Sequence, residues 1–365
     1  MTLITGASER KAAPSRDCGP SRDGGAERAG GSTRSATAGR TAWIVALAAL
    51  LVVLCIASVA FGARSVGLDD VWGALQGGAD SVGEGAVLKR LPRTMLAALV
   101  GAALALSGVA MQAVTRNPLA EPGIMGVSSG SALAVVAAIA FFGAHRPSAL
   151  MAIAIVGAAA AAVLVYAIGT LGRGGASPYA LALAGAASAA AFISLTNAIM
   201  LPRVDLLRTF QFWRVGSAGG ASWESISVAL PLLVAGAALC AWNARGMNAL
   251  ALGDELATGL GARVGRTRAL VAVGAVVLCG AATAVAGPIG FVGLLVPHLC
   301  RTLSGPDHRW LLPFSALAGA CLLLAADVLG RVIARPEEVE VGVITAFLGA
   351  PLLIWIVRRR KVREL

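Results

Sequence analysis

Lysine is nearly absent. The chain has three, Lys11, Lys89 and Lys361, in 365 residues, and none follows a glycine. A P-loop needs Gly-Lys-Ser/Thr, with the ammonium on the nucleotide phosphates, so the sequence carries no P-loop of its own. Charge of either sign is sparse. Asp, Glu, Lys and Arg make up 13% of the residues, where a soluble domain carries about a quarter. Acids are scarcer than bases, 19 against 30, which leaves a formal charge of +11. The three histidines, His145, His298 and His308, are scattered, with no metal-ligand spacing to another His, Cys or carboxylate. The six cysteines make no C-x-x-C pair, and most sit in apolar runs, where a thiol acts as a small buried hydrophobe. Serine–lysine, H-E-x-x-H and paired-aspartate constellations are missing too, which argues against an intramembrane enzyme. No metal or cofactor is expected.

What fills the chain is apolar: 57% hydrophobic residues and a mean hydropathy of +0.79. One aqueous globule of this length cannot hide that much apolar side chain, and a disordered scaffold needs low hydrophobicity. The class that remains is a polytopic, all-α membrane protein. A spanning helix needs about 20 mostly apolar residues. Ten segments qualify or nearly do: 42–62, 92–113, 124–143, 149–171, 178–200, 225–243, 268–286, 290–303, 310–330 and 341–357, the eighth being short. The 45 glycines suit a bundle in lipid, where small residues let helices approach closely.

Residues 1–40 stand apart. They are rich in Gly, Ser, Ala and Arg, have no apolar period and hold seven basic residues. They read as a disordered cytoplasmic tail, too long for the basic region of a signal peptide. The domains are therefore a tail, 1–40, and a transmembrane domain, 41–365. With the tail inside, ten spans return the C-terminus inside, and 20 of the 30 basic residues fall on inside segments, in keeping with the positive-inside rule. Much of the surplus lies in the tail and in Arg358–Arg363. Anionic lipid explains it there, and no nucleic-acid partner is expected.

The middles of the spans are nearly bare of charge. An ion-coupled transporter keeps ionisable groups in the membrane to ligate the coupling ion, so a secondary transporter is the weaker alternative, and a partner subunit would supply the energy. Arginines on the outside are the anomaly: Arg90 and Arg93 open the second span and Arg331 closes the ninth.

The most particular stretch begins Arg90-Leu91-Pro92-Arg93 and reaches Arg116-Asn117-Pro118-Leu119-Ala120-Glu121-Pro122-Gly123, then Gly126 and Gly130. Pro118 and Pro122 would break the helix at the membrane surface, and Gly123 and Gly126 would let the chain turn directly into the next span. Later come Leu252-Gly253-Asp254-Glu255-Leu256-Ala257-Thr258-Gly259-Leu260-Gly261, Gly287–His298 with Gly290, Gly293 and Pro297, and Arg335–Gly342. A faint repeat relates Arg93-Thr94 and Gly101-Ala102 to Arg266-Thr267 and Gly274-Ala275, in spans that run oppositely, as an inverted repeat would.

Across residues 42–360 this pattern resembles the FecCD-type permease subunits of ABC importers for iron–siderophores, haem and cobalamin. The resemblance implies the type II ABC importer permease fold and a second permease copy or homologue as partner. It implies ATPase subunits at the cytoplasmic face and a substrate-binding protein at the outer face. Iron(III)–siderophore is the expected cargo, with haem and cobalamin as alternatives. Leu252, Gly253, Asp254, Glu255, Leu256, Ala257, Gly259 and Leu260 would form the coupling helix that sits on the ATPase. Its acids stand near a helix start, where negative charge is favoured. Arg90, Arg93 and Arg331 would meet carboxylates of the binding protein, with intra-chain pairing, for instance to Asp327, as the competing reading. Ser177, Gly290, Gly293 and Pro297 would border the gate and pathway. Asn117, Pro118, Glu121, Pro122 and Gly123 would be structural.

Overall fold

The computed structural model describes residues 26–62, 66–76, 81–123, 126–144, 146–171, 178–203 and 215–361. The chain divides into two units, Met1–Thr41 and Ala42–Leu365. Of the expected disordered tail, residues 1–25 lie outside the described residues, and residues 26–40 are helical, the first part of α1.

Among the described residues every regular element is helical. In chain order they are α1 (Ala26–Ala60), α2 (Leu68–Leu75), α3 (Val82–Thr115), α4 (Val127–Phe142), α5 (Pro147–Thr170), α6 (Pro178–Met200), α7 (Trp223–Trp242), α8 (Ala244–Ala251), α9 (Asp254–Gly259), α10 (Val264–Ala286), α11 (Val292–Ser304), α12 (His308–Ile333) and α13 (Val341–Lys361). Each of the ten apolar segments has become a helix. Seven are long and apolar enough to cross a membrane, while α4 and the apolar part of α13 are shorter. Helix α11, at 13 residues, is the short eighth segment. The protein is a multi-pass membrane protein.

One boundary differs from expectation. The second span was placed to open at Pro92, yet α3 starts ten residues earlier, at Val82. Ser81 and Glu84 explain the start. The Glu84 amide donates to Ser81 Oγ at 3.0 Å, and the Ser81 amide donates to the Glu84 carboxylate at 3.1 Å. This reciprocal capping box satisfies two amides that would otherwise lack partners.

Helix α3 is the hub. Of its apolar window 72% is buried inside the chain, against 6% for α1. Helices α10, α11 and α12 pack directly on it, and α4, α5 and α6 form a neighbouring group that joins through α10. Glycine makes these approaches possible. A Cβ on Gly101 would strike the carbonyl of Gly319 in α12, and one on Gly108 the carbonyl of Gly293 in α11. Backbone meets backbone at both crossings, the close packing that small residues permit in lipid. The repeated motif finds a parallel here, because Gly274 of α10 packs on Cys240 and Gly236 of α7.

The connections sort onto two ends, as an alternating path requires. At one end Arg90, Arg93 and Arg331 meet Ser58–Phe61, Asp327 and Glu338. At the other Arg116 meets Leu250 and Asp254, and Asn248 meets Asp307 and His308. Helices α3 and α10 run in opposite directions, since Ser107 bonds the carbonyl of Ala275 while both Arg116 and Arg268 reach Asp254.

Candidate functional site

The first end is built around one carboxylate. Asp327, 1% exposed, lies between two arginines. Arg93 donates to it through Nε at 3.0 Å and Nη2 at 2.9 Å, and its Nη1 donates to Glu338 at 2.6 Å. Arg331, one helical turn after Asp327, pairs with its other oxygen at 2.8 Å. Arg331 also donates to the carbonyls of Ser58 and Phe61, and Arg90 to those of Val59 and Ala60. Two cations thus cap the end of α1, whose last carbonyls have no helical partners and carry the negative end of the helix dipole. The bond between Ser58 and Thr94 hydroxyls adds a further tie, at 2.6 Å. These polar bonds add to the packing of Leu51, Leu54 and Cys55 of α1 against Ala97 and Leu324.

Arg90, Arg93 and Arg331, with Lys89, Gly62, Val82 and Glu338, line an open cavity of about 550 Å³. The three arginines expected to face a partner are therefore gathered in one place, each already bonded within the chain. Pairing with Asp327, the competing reading, is what the structure displays for Arg93 and Arg331.

The second end repeats the pattern in the open. Asp254, at the start of α9, also lies between two arginines, Arg116 and Arg268, but its side chain is 50% exposed. Arg116 closes α3 in the left-handed conformation, with φ 50°. Its Nε donates to the carbonyl of Leu250 at 2.7 Å. Gly253, at φ 107°, makes the turn between α8 and α9 that an L side chain would resist. Beyond that turn α9 presents Leu256 to solvent, flanked by Leu252 and Leu260, all more than half exposed. Glu255 is exposed and Ala257 is buried. This is an exposed apolar tip on a short helix, anchored by Ala257 and by Arg116. A cavity of about 470 Å³ opens beside it, lined by Gln112, Arg116, Pro118, His298, Arg301 and His308, among others.

Between the ends lies an arrangement the sequence did not disclose. The segment after Arg116 turns over Asn117–Ala120, with Leu119 exposed, and then runs inward. Asn117 Oδ1 accepts from the Leu119 amide at 2.9 Å, and Pro122 is buried. Glu121 then bonds the backbone of Phe291 just before α11, and its Cγ lies 3.6 Å from where a Gly293 Cβ would be. Gly293 in turn packs against Leu104 and Gly108 of α3. Leu104 and Gly108 stand eleven and seven positions before the end of α3 at Thr115, or roughly 10–16 Å inward at 1.5 Å per residue. The loop is re-entrant, and its inner part, with Pro122 buried, packs against α3 and the start of α11, the kind of setting in which non-helical backbone is tolerated at depth.

Helix α11 is fastened along its length to α3. Gln112 Nε2 donates to the Gly293 carbonyl at 3.2 Å, and Gln112 Oε1 accepts from Arg301 at 2.6 Å. Gly293 and Pro297 are buried inside the chain, while Gly290 is exposed with open space around it. Ser177 lies outside the described residues.

A family model described as the FecCD transport family matches residues 50–359. The chain belongs to the FecCD transport family. Among curated FecCD-like relatives, the ferric enterobactin transport system permease protein of Escherichia coli (strain K12) is 44% identical over 87% of this chain and 96% of its own length. The hemin transport system permease protein of Yersinia pestis is 40% identical over 86% and 94%. The cobalamin import system permease protein of Halobacterium salinarum is 44% identical over 76% of this chain and 74% of its own length. A solved structure of a metal-chelate type ABC transporter in an inward-facing conformation superposes with a TM-score of 0.76 at 30% identity, covering 87% of this chain and 99% of that one. The fold is that of an ABC importer permease.

Within that FecCD frame, the way the motif segments join depends on contacts distant in sequence. The Arg116–Asp254–Arg268 group, the Gln112–Arg301 bond and the depth of Glu121 all went unread. Only Asp327 had a usable local signal, its spacing of four from Arg331 on one helical face.

Proposed function

We propose that this chain is the membrane-spanning permease subunit of an ABC importer and that its cargo is an iron(III)–siderophore complex. The observation that carries this is the near full-length similarity to a ferric enterobactin permease. A haem or cobalamin cargo is the second reading, supported by relatives named for those ligands at 40% and 44% identity. In this reading the exposed tip at Leu252, Leu256 and Leu260 seats on a separate ATPase subunit, with Glu255 beside it. ATP hydrolysis then belongs to that subunit. The arginine cavity receives a carboxylate of an extracytoplasmic binding protein, and such charges set register and encounter rate more than affinity. A second permease copy or homologue completes the pathway, which Ser177, Gly290, Gly293 and Pro297 would border. Both termini lie in the cytoplasm.

The test is uptake into proteoliposomes that hold this chain, its ATPase subunit and its binding protein. Ferric enterobactin, haem and cobalamin are each offered with and without ATP. The expected result is ATP-dependent entry of the ferric siderophore alone. Entry that needs no ATPase, or that follows an imposed proton gradient, would sink the proposal.

A further inference from the structure

Glu121 is an acid in an unusual place. It is half-buried, its Cγ beside Gly293, which packs on Leu104 and Gly108 of α3, and the sequence otherwise keeps charge out of the middles of its spans. An ionisable group at such depth is costly and is a functional candidate by default. Its partner is the backbone at Phe291, immediately before the half-length helix α11. The first amides of a helix have no helical partners and carry partial positive charge, so a carboxylate there is both tolerated and tightly placed. Phe291 itself holds φ 68°, and its ring packs where a Cβ on Gly349 of α13 would be. The chain at this point is over-determined: a left-handed non-glycine residue fixed by a carboxyl on one side and a helix on the other.

Five residues before Glu121, Arg116 grips the other end of the same re-entrant loop. It bonds the Leu250 carbonyl of α8 and the Asp254 carboxylate of α9. One short segment therefore touches the exposed α8–α9 tip with its first residue and the start of α11 with its sixth. Pro118 and Pro122 stiffen it, since each fixes its own φ. A displacement of the tip has a direct mechanical route to the middle of the bundle.

We propose that Glu121 is a positioning residue that transmits movement of the α8–α9 tip to the start of α11 through the re-entrant loop 116–123. This rests on the reading that α9 seats on an ATPase. Glu121 touches no cargo in this account. It keeps the start of α11 in step with the tip, so that a push on the tip re-aims Gly290 and Phe291.

A cysteine placed at Gly290, which is exposed and has open space around its α-carbon, reports the position of that segment. Maleimide labelling of Gly290→Cys is measured as the excess over the parent chain, in complex with the ATPase subunit, without nucleotide and with ATP plus vanadate. The proposal expects the two rates to differ by about fivefold or more, the lower range of coupling between distinct sites. Glu121→Ala should abolish the difference while the ATPase still co-purifies. Glu121→Gln, which keeps shape and one acceptor, should reduce it partly and guards against a folding defect in the alanine variant. Glu255→Arg should instead lose the ATPase itself. A labelling difference that survives Glu121→Ala, or one absent from the unaltered loop, would overturn the proposal. Failure of the ATPase to co-purify with the parent would overturn the reading of α9 on which it rests.

Discussion

The two ends of α3 carry the same motif in opposite settings. Near one end Asp327 bridges Arg93 and Arg331 with 1% exposure. At the other Asp254 bridges Arg116 and Arg268 with 50% exposure. Arg93 and Arg116 are 23 residues apart in sequence, about 35 Å along a helix. Identical chemistry has different consequences because of water. In the buried group each charge depends on its partners for all the solvation it lost, so the group is all-or-none. In the exposed group water competes for every bond, and the pairs can exchange at little cost. One end is a fixed clamp that ties α1, α3 and α12 together. The other holds α3, α9 and α10 together only through pairs that are open to water.

The sharpest way to break this contrast is to remove the buried acid. Asp327→Ala leaves Arg93 and Arg331 buried with a lost counter-charge, and breaking a buried pair costs about 3–5 kcal/mol. We expect little folded protein in the membrane fraction and a large loss of thermal stability in detergent. A mild effect would show that water reaches the clamp and that the two ends do not differ as described. The next largest effect tests what lies between them. Gly108→Ala drives a methyl into the Gly293 carbonyl, and overpacking costs about 1–3 kcal/mol. The melting temperature should fall, and Gly101→Ala, which meets Gly319, should behave alike.

How much of this was legible in the sequence divides along the same line. Apolar runs are local, so ten helical segments and the short eighth could be read from composition alone. The motif order located both ends and named Arg93, Arg331 and Asp254. Depth was not legible. Glu121 stands in a Pro-rich, polar stretch that reads as a surface turn, and only tertiary packing against Gly293 shows that the stretch dives inward. Likewise Gln112 looks like one polar residue in an apolar helix. Its role as a bridge between the Gly293 carbonyl and Arg301 depends on pairing across about 180 residues, which no local pattern encodes. The start of α3 is local but polar: apolar content marks the span only from Pro92, whereas the capping box at Ser81 and Glu84 marks the helix start at Val82.

The smallest expected effect is at the exposed acid, and it separates stability from work. Asp254→Asn weakens two pairs that are half open to water, and such pairs are worth about 0–1 kcal/mol. The melting temperature should barely move, in contrast with Asp327→Ala. Arg116 would keep its bond to the Leu250 carbonyl, so α8 stays attached while α9 is loosened. If the exposed group is a hinge contact, transport should fall further than stability. The comparison to make is the ratio of ATP hydrolysed to cargo moved, in parent and Asp254→Asn complexes that melt at the same temperature. A raised ratio assigns the Asp254 group to transmission. An unchanged ratio would reduce it to an ordinary surface ion pair, and the likeness between the two ends would then be one of sequence chemistry alone.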